Sequence, residues 1–188
     1  SNVSALYRHT VQSILSEWSD KVFNISFIAG EVSKNLDTVN TMYKFLIKHK
    51  FDRNDILVAL GGGVVGDLCG YVAASYLRGL RFIQIPTSLL AQADSSIGGK
   101  TGVDFMSYKN LVGAFHMPSL VYSNIGTLRT LSSEEFASGM AEVVKSAIIK
   151  DRFFFDLLEH NAGKIKAKDS LTCMDMLFRS DSIKKAVV

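Results

Sequence analysis

The chain has 188 residues, of which 47% are hydrophobic and 21% charged, and its formal net charge is +3. A chain of this length and hydropathy can bury a sizeable core, which excludes a disordered protein, while the small, dispersed positive charge argues against nucleic acid or a membrane surface as a partner. Cys69 and Cys173 lack the spacing of a zinc site or a disulfide framework, so we expect a cytoplasmic protein.

Helices and strands are predicted to alternate over the first two thirds of the chain. Apolar residues at helical spacing predict helices over 4–18, 36–49 and 64–76. Short β-branched and aromatic runs predict strands over 21–31, 56–60, 81–85 and 120–123. This alternation is typical of an α/β protein with a mainly parallel sheet covered by helices.

A glycine-rich turn follows the strand 56–60. Gly61, Gly63 and Gly66 fit the spacing G-x-G-x-x-G, in which glycines let the backbone approach a pyrophosphate and aim helix N–H groups at it. Glycines at a strand end also form ordinary turns, and that alternative stays open. The strand 81–85 does not end in an acidic residue, so any NAD would bind in a variant way.

The segment 86–113 is predicted to be irregular, with one short helical patch over 89–93. It is rich in Ser, Gly, Asp and Lys, and long irregular segments tend to be functional. Residues 98–101, GGKT, resemble the end of an ATP-binding loop, but Asp94 stands where that loop needs a glycine. The alternatives are a solvated turn or a substrate loop in which Lys100, Lys109 and Asn110 hold an acidic, phosphorylated molecule.

Beyond a domain boundary placed near residue 130, the pattern predicts helices over 134–150, 152–160 and 171–187, the first starting at Ser132 or Ser133. Glu142 and Lys145 lie about 60° apart on the first of these helices, away from its apolar stripe. Small residues surround Glu142, which favours close binding there. On spacing alone, an exposed ion pair is the stronger interpretation.

Five motifs carry a resemblance to a known family: GGGVVGD, YLRG, IPTSLLAQADSSIGGKTGV, YKNLVGAF and GMAEVVK. In this order they resemble 3-dehydroquinate synthase, of the sugar phosphate cyclase family. The resemblance implies a Rossmann-like NAD-binding domain over residues 1–130 and the start of a helical domain over 131–188. It covers nearly the whole chain but only the middle of the family's length.

The family resemblance implies an activity and its partners. Members use NAD and a divalent metal, Zn²⁺ or Co²⁺, to convert 3-deoxy-D-arabino-heptulosonate 7-phosphate to 3-dehydroquinate and phosphate in the shikimate pathway. We therefore expect a homodimeric lyase with a small sugar phosphate substrate. Other cyclases that form 2-deoxy-scyllo-inosose or valiolone rings are one alternative, and a non-catalytic NAD-binding remnant is another.

The resemblance also assigns residues to roles. Glu142 matches the family's carboxylate metal ligand. Substrate or catalytic positions are matched by Asp94, Lys100, Asn110, Lys145, Lys185 and Arg78, the last reaching across the dimer interface. NAD-binding positions are matched by Glu31, Lys34, Gly62, Gly63, Gly66, Asp67, Thr87, Ser88, Asp94, Lys100 and Lys109.

Several departures from the family pattern bear on activity. Ser88 replaces a usual Thr but keeps the hydroxyl, and Tyr108 stands in a substrate loop that usually ends in Gly-Lys-Asn. The two histidines that complete the family's metal site lie beyond Val188, so we expect this polypeptide alone to be inactive. We also expect the stripe of Phe136, Met140 and Val143 to be exposed.

Overall fold

The architecture is a parallel three-stranded sheet flanked by helices, described for residues 2–187 by a computed structural model. The strands are β1 (Ile56–Gly61), β2 (Arg81–Pro86) and β5 (Leu120–Val121), in the order β1-β2-β5. Both neighbouring pairs run parallel. The predicted α/β fold with a mainly parallel sheet is therefore confirmed.

Three helices accompany the first half of the sheet: α1 (Asn2–Ser16), α2 (Leu36–Lys48) and α3 (Gly63–Ser75). Residues in β1 and β2 alternate between buried and partly exposed, as expected for strands that carry one face into a core. The first core joins these strands to α2 and α3 through residues such as Leu46, Phe82 and Val72. These predicted helices and strands are confirmed within one to three residues at each end.

The strand predicted over 21–31 is wrong. In the described chain these residues take no place in either sheet, and a short 3₁₀ turn, Glu31–Ser33, follows them. Ile25 and Phe27 still pack against the first core. The apolar alternation is thus satisfied by side-chain packing alone, without the ladder of backbone hydrogen bonds that makes a strand.

The prediction of an irregular segment over 86–113 is wrong in its second half. The patch near residues 89–93 becomes a π-helical turn, Ala91–Ser95, and an antiparallel hairpin follows, with β3 (Lys100–Phe105) and β4 (Tyr108–Phe115). Gly102 and Gly113 are paired across it. A Cβ on Gly113 would lie 2.2 Å from the Thr101 carbonyl oxygen, so glycine is needed for this close pairing.

Four helices form the second core: α4 (Ser133–Lys150), α5 (Arg152–His160), α6 (Ala162–Lys166) and α7 (Ser170–Lys185). Ser132 caps α4 by accepting the Glu135 N–H at 3.2 Å, as one of the two predicted starts requires. The short α6 is absent from the sequence-based expectation.

The α4 stripe that was expected to be exposed is instead buried. Phe136 is 6% exposed and Val143 is fully buried, while Met140 is partly buried. They pack in the second core with residues of α5, α6 and α7 and with Leu89 and Leu128. The helices present in the chain therefore cover this stripe by themselves.

The two cores meet at the segment that follows β2. Gly139 of α4 lies so close to it that a Cβ there would stand 2.6 Å from both Leu89 Cβ and the Leu90 backbone nitrogen. The domain boundary near residue 130 stays a prediction. Within residues 2–187, no helix combines the length and apolar character needed to cross a membrane.

Candidate active site

The glycine turn lies where the ends of β1 and β2 meet the start of α3. Gly62 precedes the helix, and among the described residues no side chain caps this helix end. The Thr87 N–H donates to the Gly61 carbonyl at 3.0 Å, which holds the two strand ends together. Because the first N–H groups of a helix lack intrahelical partners, this turn can bind an anionic group such as a pyrophosphate.

Hydroxyl groups surround this turn. A Cβ on Gly62 would lie 3.4 Å from Ser88 Oγ, and one on Gly63 would lie 3.0 Å from Ser95 Oγ. Thr87 is 5% exposed, and Ser88 Oγ accepts the Ala91 N–H at 3.3 Å. The structure therefore brings the predicted Thr87 and Ser88 to the glycine turn.

A partly buried network, which we name the Lys34 cluster, joins Lys34, Asp67, Asp104 and Asn110. Lys34 follows the turn Glu31–Ser33 and is only 5% exposed. Its Nζ lies 2.6 Å from Asp67 Oδ2 and also donates to Asn110 Oδ1. Two residues predicted from widely separated motifs, Asp67 and Asn110, thus converge on the ammonium group of a third, Lys34.

The electrostatics of the Lys34 cluster are set by burial. Burial raises the pKa of Asp67, while the hydrogen bond and charge of Lys34 lower it and the charges of Glu31 and Asp104 raise it. Nearby, Lys109 Nζ lies 3.2 Å from Glu31 Oε1 in an exposed ion pair. The hairpin tip is therefore tied to the residues before α2 by both buried and exposed contacts.

A second group of charges, which we name the Asp94 cluster, comprises Asp94, Glu142, Lys145 and Lys184. Lys184 Nζ donates to both the carboxylate and the main-chain carbonyl of Asp94. Glu142 accepts a hydrogen bond from Lys145, which raises the pKa of Lys145, and the charge of Asp94 adds to this effect. Two carboxylates and two ammonium groups thus meet between α4, α7 and the π-helical turn.

Lys184 is a residue that the sequence-based assignment missed. That assignment named Lys185, which is exposed, whereas Lys184 contacts Asp94. The helical register held the signal, because Lys184 continues the buried stripe of Cys173, Leu177 and Ser180 at spacings of three and four. The role of Lys185 stays a prediction.

Two other predicted residues, Lys100 and Arg78, make no hydrogen bond or ion pair with either cluster within residues 2–187. Lys100 is exposed at the start of β3. Arg78 is exposed and stands in a tight left-handed turn, with φ of 68° after Leu77 at 51°. The roles of both residues stay predictions.

The described part of the chain lacks a complete metal centre. Among residues 2–187, no group of three or more His, Cys, Asp or Glu side chains is placed to hold a metal ion. Glu142 supplies a single carboxylate, already engaged by Lys145. These residues alone do not fit a tetrahedral zinc site.

Asp181 is another titratable group that the sequence did not single out. Its Oδ1 is buried and finds no hydrogen-bond partner within residues 2–187, and neither do the hydroxyls of Ser96 and Ser180. Burial raises the Asp181 pKa from 3.8 to about 6, while Lys185 and Lys184 lower it. The charge on Asp181 is therefore costly in the folded chain.

Family models match almost the whole chain. A model described as 3-dehydroquinate synthase N-terminal matches residues 24–138, and one described as 3-dehydroquinate synthase C-terminal matches residues 139–188. The 3-dehydroquinate synthase of Acetivibrio thermocellus is 47% identical over 184 residues, covering 96% of this chain and 51% of that protein. That of Symbiobacterium thermophilum is 46% identical over 187 residues, covering 100% and 52%. The chain spans about half the length of the curated relatives it matches.

Solved structures of related enzymes share the fold. A 2-epi-5-epi-valiolone synthase from Streptomyces hygroscopicus, with NAD⁺ and Zn²⁺ bound, is 31% identical with a TM-score of 0.87, covering 97% of this chain and 51% of that chain. A 2-deoxy-scyllo-inosose synthase with carbaglucose-6-phosphate, NAD⁺ and Co²⁺ is 32% identical with a TM-score of 0.70, covering 74% and 38%. An iron-containing alcohol dehydrogenase at 14% identity and a TM-score of 0.73 shares the fold alone, covering 97% and 57%.

Proposed function

Because the chain belongs to the 3-dehydroquinate synthase family, we propose that the whole protein converts 3-deoxy-D-arabino-heptulosonate 7-phosphate to 3-dehydroquinate and phosphate. This is a lyase reaction in which a carbon–oxygen bond breaks and phosphate leaves. The observation that carries the proposal is the uncapped glycine turn at the start of α3, facing Ser88 and Ser95, in a chain that both family models match.

The residues around the glycine turn fit a dinucleotide. The backbone N–H groups after Gly62 are suited to the pyrophosphate, because no side chain caps them and Gly63 adds no Cβ beside Ser95 Oγ. Glu31, Lys34, Gly66, Asp67, Thr87, Ser88 and Lys109 complete the proposed NAD site. When bound, NAD would supply a reversible hydride acceptor for oxidation of a ring hydroxyl.

The Asp94 cluster is proposed to hold the substrate. Lys145 and Lys184 carry positive charges that can bind the carboxylate or phosphate of a sugar acid phosphate. Asp94 orients Lys184 through two hydrogen bonds, so this ammonium group is positioned before any ligand arrives. Lys100, Asn110 and Lys185 are proposed as further contacts.

A metal and a second subunit belong to the proposal for the whole protein. The valiolone synthase holds Zn²⁺ and the inosose synthase Co²⁺, and Glu142 is proposed as one ligand of such an ion. Residues 2–187 supply no further ligand set for such an ion. We propose a homodimer in which exposed Arg78 reaches the substrate of its partner. Cytoplasmic location stays a prediction.

Titration of NAD into the 188-residue chain by calorimetry tests the cofactor site. The variant Gly63→Ala should lose at least about tenfold in affinity, because its Cβ would lie 3.0 Å from Ser95 Oγ and crowd the turn that is proposed to receive the pyrophosphate. Gly163→Ala is the matched control, since a Cβ there meets nothing within 4 Å. Equal NAD affinity in both variants would contradict the proposed site, and the absence of NAD binding by folded wild-type chain would favour a non-catalytic remnant.

A second candidate function is another sugar phosphate cyclase. The TM-score of 0.87 with the valiolone synthase favours keeping it. Phosphate release by the whole protein, measured separately with the heptulosonate phosphate, sedoheptulose 7-phosphate and glucose 6-phosphate, separates the candidates. Release from the heptulosonate phosphate alone is expected.

A further inference from the structure

We infer that Asp104 is a positioning residue of the candidate site, which holds Asn110 and Lys34 in the arrangement that a dinucleotide would meet. The inference rests on the proposed function for its cofactor. Its geometric basis lies entirely in the Lys34 cluster.

Asp104 makes two hydrogen bonds, one to the turn before α2 and one within the hairpin. It stands at an irregularity in β3, where the pairing with β4 shifts between Val103 and Phe105. Its main-chain N–H donates to the Lys34 carbonyl at 2.8 Å. Its Oδ1 accepts the Asn110 N–H at 2.8 Å. One residue thus fixes the backbone on both sides of the cluster.

The bond to Asn110 supports an unusual backbone conformation. Asn110 has a φ of 54°, in the left-handed region that residues with a Cβ occupy less readily than glycine, although Asn tolerates it better than most. In this conformation its side-chain oxygen meets Lys34 Nζ. Removal of the Asp104 oxygen leaves the Asn110 N–H without this acceptor, so the side chain that meets Lys34 loses its anchor.

Charge and hydrogen bonding at Asp104 can be separated. The negative charge of Asp104 acts on Asp67, where it raises the pKa, so the carboxylate does more than accept a bond. Replacement by Asn keeps an oxygen for the Asn110 N–H and removes the charge. Replacement by Ala removes both. A positioning role therefore predicts that Asn rescues what Ala loses.

The test compares Asp104→Ala, Asp104→Asn and the control Asp55→Ala. Asp55 is a matched loop carboxylate, because its Oδ2 accepts the Asp52 N–H at 2.7 Å just before β1. Amide hydrogen exchange at residues 105–112 is measured without ligand, and NAD affinity is measured by calorimetry. Asp104→Ala should speed exchange at Asn110 and weaken NAD binding, each by about tenfold. Asp104→Asn should stay within about threefold of wild type in both, and Asp55→Ala should match wild type.

Unchanged exchange and NAD affinity in Asp104→Ala would overturn the inference, as would equal losses in the Ala and Asn variants, which would assign the effect to charge. If wild-type chain binds no NAD, the proposed function fails while the exchange measurement still decides the role of Asp104. Should Asp104→Ala fail to fold, Asp104→Ser replaces it, because its shorter hydroxyl stays off the Asn110 amide.

Discussion

The charged side chains of the Lys34 cluster and of the Asp94 cluster differ in their exposure to solvent. In the first, the side chains of Lys34 and Asp67 are 6% and 17% exposed. In the second, Lys184 and Asp94 are 19% and 34% exposed, and Lys145 and Glu142 are 55% and 30% exposed. The Lys34–Asp67 pair is therefore largely buried and the Lys145–Glu142 pair is open to solvent, while the Lys184–Asp94 pair lies between them.

This difference in burial indicates how firmly each ion pair is held before a ligand binds. A buried ion pair needs every partner in place, because an unpaired charge in the interior is strongly destabilising. An exposed pair costs little to break and can exchange its partner for a ligand. The proposed cofactor side is therefore held by a buried pair, whereas on the proposed substrate side the exposed Lys145–Glu142 pair can exchange partners.

The largest expected effect on stability comes from removing the cation of the Lys34–Asp67 pair. Lys34→Met should lower the free energy of unfolding by about 3–5 kcal/mol, because Asp67 would be left buried without its cation and its pKa would rise further. Urea unfolding measures the loss. Lys44→Met, on the exposed face of α2, is the control and should change stability by less than about 0.5 kcal/mol. A loss of unfolding free energy below about 1 kcal/mol in Lys34→Met would show that the Lys34–Asp67 pair behaves as an exposed pair.

A second variant tests the contact between α4 and the segment after β2, where the two hydrophobic cores meet. Gly139→Ala should cost about 1–3 kcal/mol, because the new Cβ would stand 2.6 Å from Leu89 Cβ and from the Leu90 nitrogen. Thermal unfolding reports the change. Gly163→Ala, with nothing within 4 Å of its Cβ, should instead stabilise by up to about 1 kcal/mol through helix propensity. Similar melting temperatures for the two variants would contradict a tight joint.

A third variant tests, through the pH dependence of stability, what the buried charge on Asp181 costs. The Asp181 pKa rises from 3.8 in the unfolded reference to about 6 in the folded chain, so the folded state binds the proton more tightly. This group therefore makes stability fall as the pH rises from 3.8 to about 6. Asp181→Asn should remove that fall and, at about pH 7, stabilise the chain by about 1 kcal/mol after solvent screening.

Urea titrations of Asp181→Asn at acidic and neutral pH check this sign. Asp175→Asn serves as the control, because the Asp175 side chain is 47% exposed and is paired with Arg179. The expectation fails if Asp181→Asn matches wild type at neutral pH.

The smallest effect belongs to the exposed tie at the hairpin tip. Lys109 and Glu31 are 75% and 45% exposed, so Lys109→Met should change the free energy of unfolding by less than about 0.5 kcal/mol. Urea unfolding at low and high salt measures it. A loss above about 1 kcal/mol would place this pair with the buried network instead.

Hydrophobic periodicity predicted the core elements because burial imposes it. The helix predicted over 152–160 is α5, Arg152–His160, and the strand over 81–85 lies inside β2. The hairpin was missed because Gly102 and Gly113 suggest a loop by composition, although their role is close strand pairing. The segment 21–31 misled for the opposite reason, since a strand needs a partner that its own pattern does not reveal.

The candidate site was predictable where backbone chemistry required a residue type. A Cβ on Gly61, Gly63 or Gly66 would lie 2.6, 3.0 or 3.1 Å from a neighbouring side chain, so the turn needs glycines, and the sequence pattern expresses that need directly. The contact between Lys184 and Asp94 depends on which lysine faces inward, which only the helical register decides. Asp104 was beyond sequence reasoning, because its partner Asn110 owes its position to a left-handed backbone.

The two cysteines lie one in each core. Cys69 is 6% exposed in the first core, and Cys173 is fully buried in the second. Burial raises the pKa of Cys69 to about 12 and also raises that of Cys173, so neither thiol is reactive in the folded chain. An alkylating reagent can therefore modify each sulfur only when its own core opens. The order in which Cys69 and Cys173 are alkylated during unfolding therefore shows which of the two cores opens first.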